Sequence, residues 1–469
     1  MRILLISPPP LNTLEEPEVA NIKTGTAGCF PPLGLMYLAG YARKNSSHDV
    51  IMVDANAFNM SYKQLEKEIR KIKPDLVGLG TTSFSLKDTI ITAKIVKGID
   101  KKIHVNVGGP HLLIYPKETL SLKPFDSVTI GDGEVTFLDL ADALAQGKDL
   151  RTVKGLGFKE GKDMIINEPR EPIENLDMLP FPARDLLPIK VYYSGVSDKK
   201  FMTTMLSSRG CPWNCRFCFS KGIKYRQRSP KNIVDEISEC AKMGITEFNF
   251  VDETFNANPK NVIEVCDLIM KRGLKIDWAI RGRINTINEK VLKKLKQAGC
   301  TRINYGVESG NDEILKVINK CVTKDLVKRV FEMTNKEGIK TVAFFMIGHP
   351  TEKREQVLET IRFAKEIKPD YAVFSIFLPY PKTEFYEMGL KTGLIKEDYW
   401  KKFARNPEKP FKPKVWEEIF TEKELYDLSK IAYRDFYFDP RYLLRRVFGI
   451  RSFTEFSRHA KTALKMMHG

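Results

Sequence analysis

The chain has 469 residues, with 76 Lys and Arg against 59 Asp and Glu, for a formal net charge of +17. That length accommodates two or three domains, and no apolar run approaches the ~20 residues needed to cross a bilayer. The positive excess fits a nucleic acid, an anionic lipid, an acidic substrate or a merely Lys-rich composition, but no nucleic-acid module or basic–aromatic repeat is evident, so nucleic-acid binding is disfavoured.

The first residues, Met1 to Pro8, read as a strand over Ile3–Ile6 stopped by Pro8-Pro9-Pro10, too short for a signal peptide. A cytoplasmic location is expected. Helical periodicity then covers Leu33–Lys44, Tyr62–Ile72, Leu86–Ile99 and Val135–Ala145, alternating with strands at Val50–Val53, Leu76–Leu79, Ile103–Val107 and Ser127–Ile130. Five strands alternating with helices predict a Rossmann-like, doubly wound parallel sheet over residues 1–150, with ligands at the carboxyl ends of its strands. Those ends carry small and hydroxylated residues: Thr81-Thr82-Ser83, then Gly108-Gly109-Pro110-His111, then Gly131-Asp132-Gly133-Glu134. They let a backbone approach a large flat ligand; tight turns of a generic α/β fold are the plainer reading.

Residues 151–194 read as a proline-rich linker, with Leu179-Pro180-Phe181-Pro182 and Pro188 favouring an extended connector packed along both neighbours. Beyond it lies Cys211-Pro212-Trp213-Asn214-Cys215-Arg216-Phe217-Cys218, three of the chain's eight cysteines within eight residues. Soft thiolates so close together suit one face of an iron–sulfur cluster; structural zinc or plain thiols are the alternatives, although a closed zinc site wants a fourth ligand that is not nearby. The other cysteines (Cys29, Cys240, Cys266, Cys300, Cys321) are scattered and read as free thiols.

The C-x3-C-x2-C spacing, with an aromatic before the last Cys, resembles the signature of the radical S-adenosylmethionine (SAM) superfamily. The resemblance implies a 4Fe-4S cluster on Cys211, Cys215 and Cys218, SAM chelating the open iron, and a 5′-deoxyadenosyl radical released by one-electron cleavage. The first domain is similar to the cobalamin-binding domain that precedes the radical SAM domain in one large subfamily; Pro31-Pro32-Leu33-Gly34-Leu35, Gly108-Gly109-Pro110-His111 and Gly131-Asp132-Gly133-Glu134 carry that likeness. It implies cobalamin contacts from Leu33, Gly34, Asp54, Asn56, Thr81, Thr82, Ser83, Gly108, Gly109, His111, Gly131, Gly133 and Glu134. The second strand departs from the D-x-H-x-x-G pattern: Asn56 stands at the histidine position and Asn59 at the glycine. The cobalt therefore receives no histidine from this loop. His111 reads as a loop histidine bonding to backbone, with approach to the corrin as the alternative.

Over residues 195–390 six β–α units are expected, their strands at Met202–Leu206, Glu247–Val251, Ile276–Ile280, Arg302–Val307, Thr341–Ile347 and Ala372–Phe377. Such alternation suits a partial (β/α)6 TIM-type barrel with its chemistry at the strand ends. By resemblance, Phe217, Asp252, Glu253, Arg281, Arg283, Glu308, Ser309, Gly348 and Pro350 contact SAM: Asp252 and Glu253 receive its ammonium, either arginine holds a carboxylate of SAM or of substrate, Glu308-Ser309 meet ribose or carboxylate, and the backbone at Gly348 and Pro350 flanks adenine.

Residues 391–469 read as a mainly helical C-terminal domain that turns basic at Arg441, Arg445, Arg446, Arg451, Arg458, Lys461 and Lys465. This region either closes the barrel or forms a lid or a surface resting on anionic membrane. The sum resembles a cobalamin-dependent radical SAM enzyme. Its implied activity is hydrogen abstraction from an unactivated carbon, then methylation from methylcobalamin, with electrons from a ferredoxin or flavodoxin and a small-molecule or lipid substrate. Radical cyclisation, oxidation or rearrangement of a lipid or tetrapyrrole is the alternative, and a non-catalytic cobalamin sensor a remote one. A methylthiotransferase is set aside, because the first domain has only Cys29 and not three further cysteines.

Overall fold

Ile3, Leu4, Leu5 and Ile6 are fully inaccessible to water, which requires a strand covered on both faces, the habit of parallel sheets. The structure, a computed structural model, describes residues 1–14, 28–195 and 201–449. These fall into two units.

In the first unit, strands β1 (Arg2–Ser7), β2 (Asp49–Asp54), β3 (Leu76–Gly80), β4 (His104–Gly108) and β5 (Ser127–Thr129) lie side by side in the order β2-β1-β3-β4-β5, all parallel. The reversal of order at β1 places a crevice at the strand carboxyl ends. Local chemistry sets the crossovers. Ser61 and Gln64 form a reciprocal capping box for the helix Tyr62–Ile72, and Gly147, left-handed, ends the helix Gly133–Gln146.

The segment expected to be linker does more than connect. β6 (Leu156–Glu160) and β7 (Asp163–Ile166) add antiparallel to β5 and widen the sheet to seven strands. Only the stretch after Ile166 follows the extended, proline-rich expectation, tied to the first unit by Ala183 N donating to Met36 O and by Arg43 with Asp185. Residues Asp398–Lys412 also belong to this unit. Trp400 packs edge-on to Phe84 at 5.8 Å, Asp398 accepts from the Tyr115 hydroxyl at 3.0 Å, and Lys94 pairs with Glu408.

The second unit holds β8 (Thr203–Met205), β9 (Glu247–Phe250), β10 (Asp277–Gly282), β11 (Cys300–Glu308), β12 (Lys340–Ile347) and β13 (Tyr371–Ile376) in sequential order, every pairing parallel. Helices Pro230–Lys242, Pro259–Lys271, Glu289–Gln297 and Lys324–Lys336 each begin on a side-chain cap, from Ser229, Asn258, Asn288 and Thr323. The outer face of the sheet is apolar: Phe250 meets Trp278 of the neighbouring strand at 5.5 Å, and Tyr305 meets Phe331 of the helix Lys324–Lys336 at 5.2 Å. The alternate residues, Asn249, Ala279, Asn304 and Phe344, line the inner face.

The helix Glu422–Tyr437 covers β13, with Phe374 against Tyr433 at 5.6 Å and Tyr437 Oη bonded to Ala372 O at 2.8 Å. The region 391–469, expected to be one helical domain, is therefore divided between the two units. Of its basic residues, Arg441 and Arg445 lie on the helix Pro440–Gly449, where Arg445 donates to the carbonyls of Lys368 and Pro369. The Arg446 side chain, Arg451, Arg458, Lys461 and Lys465 lie outside the described residues.

Candidate functional site

The three clustered cysteines sit on the loop after β8. Its base is closed by the antiparallel pair Ser208–Arg209 with Arg226–Gln227. Gly210, at φ +76°, turns where a Cβ would overlap the Lys224 carbonyl. Within the loop Cys218 N donates to Cys215 O at 3.2 Å and Cys211 N to Ile223 O at 3.4 Å. Arg216 pins its far side, reaching Glu384 at 2.5 Å and Val317 O at 3.0 Å while lying over the Phe385 ring.

Cys215 is buried, and Cys211 and Cys218 are partly exposed. Burial pushes the Cys218 thiol up to about 11, so this sulfur becomes a stable thiolate only beside a positive metal. The donors this loop brings together are the three thiols of Cys211, Cys215 and Cys218. That donor set suits a cluster, where each thiolate binds a different iron.

The strand-end residues divide into those that face outward and those that build the loop. Asp252, at the end of β9, is fully buried; it accepts from Ser207 N at 2.9 Å, Ser207 Oγ at 2.6 Å and Ser208 Oγ at 2.6 Å. Its carboxylate is spent on holding the chain just before the cysteines, a departure from the expected ammonium contact. Glu253 beside it is exposed, and its charge helps raise the Cys218 thiol. Arg281 is exposed, with one long contact to Val251 O at 3.4 Å.

Arg283 is buried under the loop instead, its Nη1 donating to Cys215 Sγ at 3.5 Å. Glu308, in the left-handed region at φ +70°, pairs with the buried Lys320 at 2.5 Å, whose Nζ lies 5.9 Å from the centre of the Phe217 ring. Ser309 is inaccessible, bonded to Thr360 Oγ1 at 3.2 Å and to Asn311 N, so its side chain closes the turn. After β12, Gly348 N and His349 N both donate to Glu352, at 2.7 and 3.1 Å, fixing the backbone around Pro350.

Lys320 was not anticipated as part of this site, and His349 and Glu352 belong to the strand-end stretch Gly348-His349-Pro350-Thr351-Glu352, in which only Gly348 and Pro350 were expected to meet SAM. His349 packs beside Phe217 and Phe377, at 6.5 and 5.5 Å between ring centres; burial lowers it to about 3 against the opposing pull of the Glu308 backbone, so it is neutral. The inner-face residues Asn249, Asn304 and Phe344 were missed too, although the two-residue alternation of their strands marks them. Among the described residues the amide oxygens of both asparagines are buried without a partner, and Phe344 is 38 % exposed on an interior strand.

In the first unit the carboxyl edge of the sheet presents Gly34, Asn56, Thr82, Gly108, Gly109 and Gly131, all exposed or half-exposed. At Gly34 and Gly131 an added Cβ would meet open space, and at Gly108 only the Thr129 side chain and backbone beyond 3.5 Å. This rim has the room a large flat cofactor needs. Gly109, at φ +117°, is held so close to Thr81 that a Cβ would collide with the Thr81 carbonyl.

Other residues expected here are turned inward. Asp54 is buried against the Tyr192 hydroxyl at 2.8 Å. Thr81 is buried, its Oγ1 accepting from Thr89. His111 is a loop histidine, 1 % exposed, bonded to Ser83 Oγ at 2.8 Å and lowered by burial to about 4. Leu33, Gly133 and Glu134 belong to helix first turns, with Leu33 and Glu134 buried.

Residues 205–364 match the radical SAM superfamily, and residues 22–141 match the B12 binding domain. An uncharacterized methyltransferase of Pyrococcus horikoshii is 36 % identical over 453 residues, which cover 96 % of this chain and 95 % of that protein. The anaerobic magnesium-protoporphyrin IX monomethyl ester cyclase of Rubrivivax gelatinosus is 30 % identical over 428 residues, 89 % of this chain and 75 % of that one. Among solved structures, the cobalamin-dependent S-adenosylmethionine radical enzyme OxsB, with aqua-cobalamin and S-adenosylmethionine bound, matches in fold with a TM-score of 0.73 at 18 % identity, over 99 % of this chain and 72 % of that one.

Proposed function

Because the chain belongs to the cobalamin-dependent radical SAM enzymes, we propose that it is a C-methyltransferase acting on an unactivated carbon. The family's cofactors are a 4Fe-4S cluster, SAM and cobalamin. When bound, they supply the electron that cleaves SAM and the methyl carrier.

The observation that carries the reading is the cysteine loop beside an exposed carboxylate and an exposed guanidinium. Cys211, Cys215 and Cys218 hold the cluster. Glu253 receives the SAM ammonium and Arg281 its carboxylate, charge-assisted contacts that need exposed groups. Asp252 fixes the loop, and the Gly348–Pro350 backbone, held by Glu352, flanks the adenine. In the first unit Gly34, Asn56, Thr82, Gly108, Gly109 and Gly131 line the cobalamin. The half-polar, half-apolar inner face, with Asn249 and Asn304 against Phe344, suits a substrate with an apolar body and a hydrogen-bonding group.

The cyclase relative favours a second reading, radical ring closure with the same cofactors. Reductive cleavage needs a one-electron donor, and a ferredoxin or flavodoxin is the donor proposed. No helix among the described residues is long and apolar enough to cross a membrane. A cytoplasmic location is proposed, with the basic C-terminal residues resting on anionic lipid.

The test is anaerobic. Protein reconstituted with iron, sulfide and cobalamin is incubated with SAM and dithionite, and 5′-deoxyadenosine, S-adenosylhomocysteine and retained cobalamin are measured. Both nucleosides together support methyl transfer. 5′-Deoxyadenosine without S-adenosylhomocysteine favours cyclisation or rearrangement, and its formation without retained cobalamin defeats the methyltransferase reading.

A further inference from the structure

Arg283 is a buried cation with no counter-ion among the described residues. It is 5 % exposed. Its Nε donates to Asn285 Oδ1 at 3.0 Å, one Nη donates to the Lys320 carbonyl, and the other reaches Cys215 Sγ at 3.5 Å. Its guanidinium carbon lies 4.5 Å from the centre of the Trp213 ring, a residue of the cysteine loop. Its backbone is equally fixed, because Asn256, itself inaccessible, accepts from Arg283 N at 2.7 Å and donates to Arg283 O at 2.9 Å. Among the described residues no carboxylate pairs with it, whereas the buried Lys320 nearby has Glu308. An unpaired guanidinium removed from water is strongly destabilising, so such a group persists where a negative partner completes it. The negative group in reach is the thiolate side of the cluster that Cys215 would ligate.

We infer that Arg283 is a potential-setting residue: it donates a charge-assisted hydrogen bond to the Cys215 thiolate and makes the cluster easier to reduce. Hydrogen bonds to ligand sulfurs and nearby charge are among the terms that set iron–sulfur potentials. Reduction adds one negative charge to the cluster, and a fixed positive charge a few ångströms away favours that state. Arg283 is therefore assigned to the cluster and withdrawn from the SAM carboxylate, leaving the exposed Arg281 for that contact. The planar fork matters, since three directed contacts leave the chain in one plane and a lysine ammonium cannot reproduce them.

This inference rests on the cluster reading above, and the experiment separates the two. The reconstituted protein and its Arg283→Gln and Arg283→Lys variants are titrated with dithionite under potentiometric control and followed by electron paramagnetic resonance, and SAM affinity is measured by equilibrium dialysis. A reducible cluster signal in the unsubstituted protein tests the cluster reading, and its absence would sink that reading. The expected result for both variants is a midpoint displaced to more negative potential, with SAM affinity within about twofold of the parent. An unchanged midpoint with SAM affinity weakened tenfold or more would overturn the inference and return Arg283 to the SAM carboxylate. If Arg283→Gln fails to retain iron, Arg283→Lys and Asn285→Ala, which frees only Nε, decide the matter by the same two readings.

Discussion

Truncating Asp252 to alanine removes the acceptor of three inward-pointing donors at once: Ser207 N, Ser207 Oγ and Ser208 Oγ. An abandoned buried donor costs about 1–3 kcal/mol. The two hydroxyls can rotate toward other acceptors but the backbone N–H cannot, so a loss of about 3–5 kcal/mol is expected. With a urea slope of about 2 kcal/mol per molar, the transition should move down by about 2 M. Asp252→Asn keeps the oxygen that serves all three donors and opposes an amide to Ser207 N at the second position, 3.1 Å away; about 1–2 kcal/mol should be lost. Anaerobic urea unfolding, with iron content read after reconstitution, checks both, and iron retention should fall in the same order as stability. The reasoning fails if Asp252→Ala unfolds with the parent and instead weakens SAM binding tenfold, because the carboxylate would then face the ligand.

Replacing Lys320 with methionine strands the Glu308 carboxylate in a buried, left-handed position and should cost about 3–5 kcal/mol; adding Glu308→Gln should recover most of it, as a double-mutant cycle in denaturant would read. Gly109→Ala forces a Cβ into the Thr81 carbonyl at a φ that L side chains rarely adopt, so cobalamin retention after gel filtration should drop while iron content at the cysteines is unchanged. Burial raises Glu352 from 4.5 to about 8, so the folded chain holds a proton that the unfolded chain has released. That stabilising contribution is complete below about pH 4.5 and is lost as pH rises through 8. Glu352→Gln should consequently match the parent near pH 5 and exceed it in stability at pH 9, by up to a few kcal/mol; thermal unfolding across that range checks the sign.

The α/β alternation and the cysteine loop were legible in the sequence because each is a local signal. Apolar runs of four to six residues separated by amphipathic stretches mark parallel strands and their crossovers, and thiols that share one loop need no tertiary partner to be noticed. The two antiparallel strands Leu156–Glu160 and Asp163–Ile166 were not. They are short and half-exposed, stand next to a proline-rich stretch, and exist because β5 offers an open edge. The division of the C-terminal region was hidden for a related reason. Trp400 and Phe436 look alike as buried aromatics, yet Trp400 covers Phe84, over three hundred residues earlier, and Phe436 covers Phe374 in the barrel sheet.

The same boundary runs through the site. Residue type and position at a strand end placed Asp252, Glu253, Arg281 and Arg283 in one neighbourhood, since parallel strands deliver their carboxyl ends to one edge. Which of them faces a ligand was decided by packing. Adjacent residues leave a strand on opposite sides, so Asp252 turns inward to two serines while Glu253 stays in water. Two positions along the chain separate Arg281 from Arg283, yet the turn into the short helix Ile284–Thr286, clamped by Asn256, swings the second arginine beneath Cys215. The sequence by itself determined the chemistry the chain carries, through its cysteine spacing and the order of its strands. Only the tertiary structure decided which charges are spent on building the site and which remain for its ligands, because a buried charge is defined by what surrounds it in space.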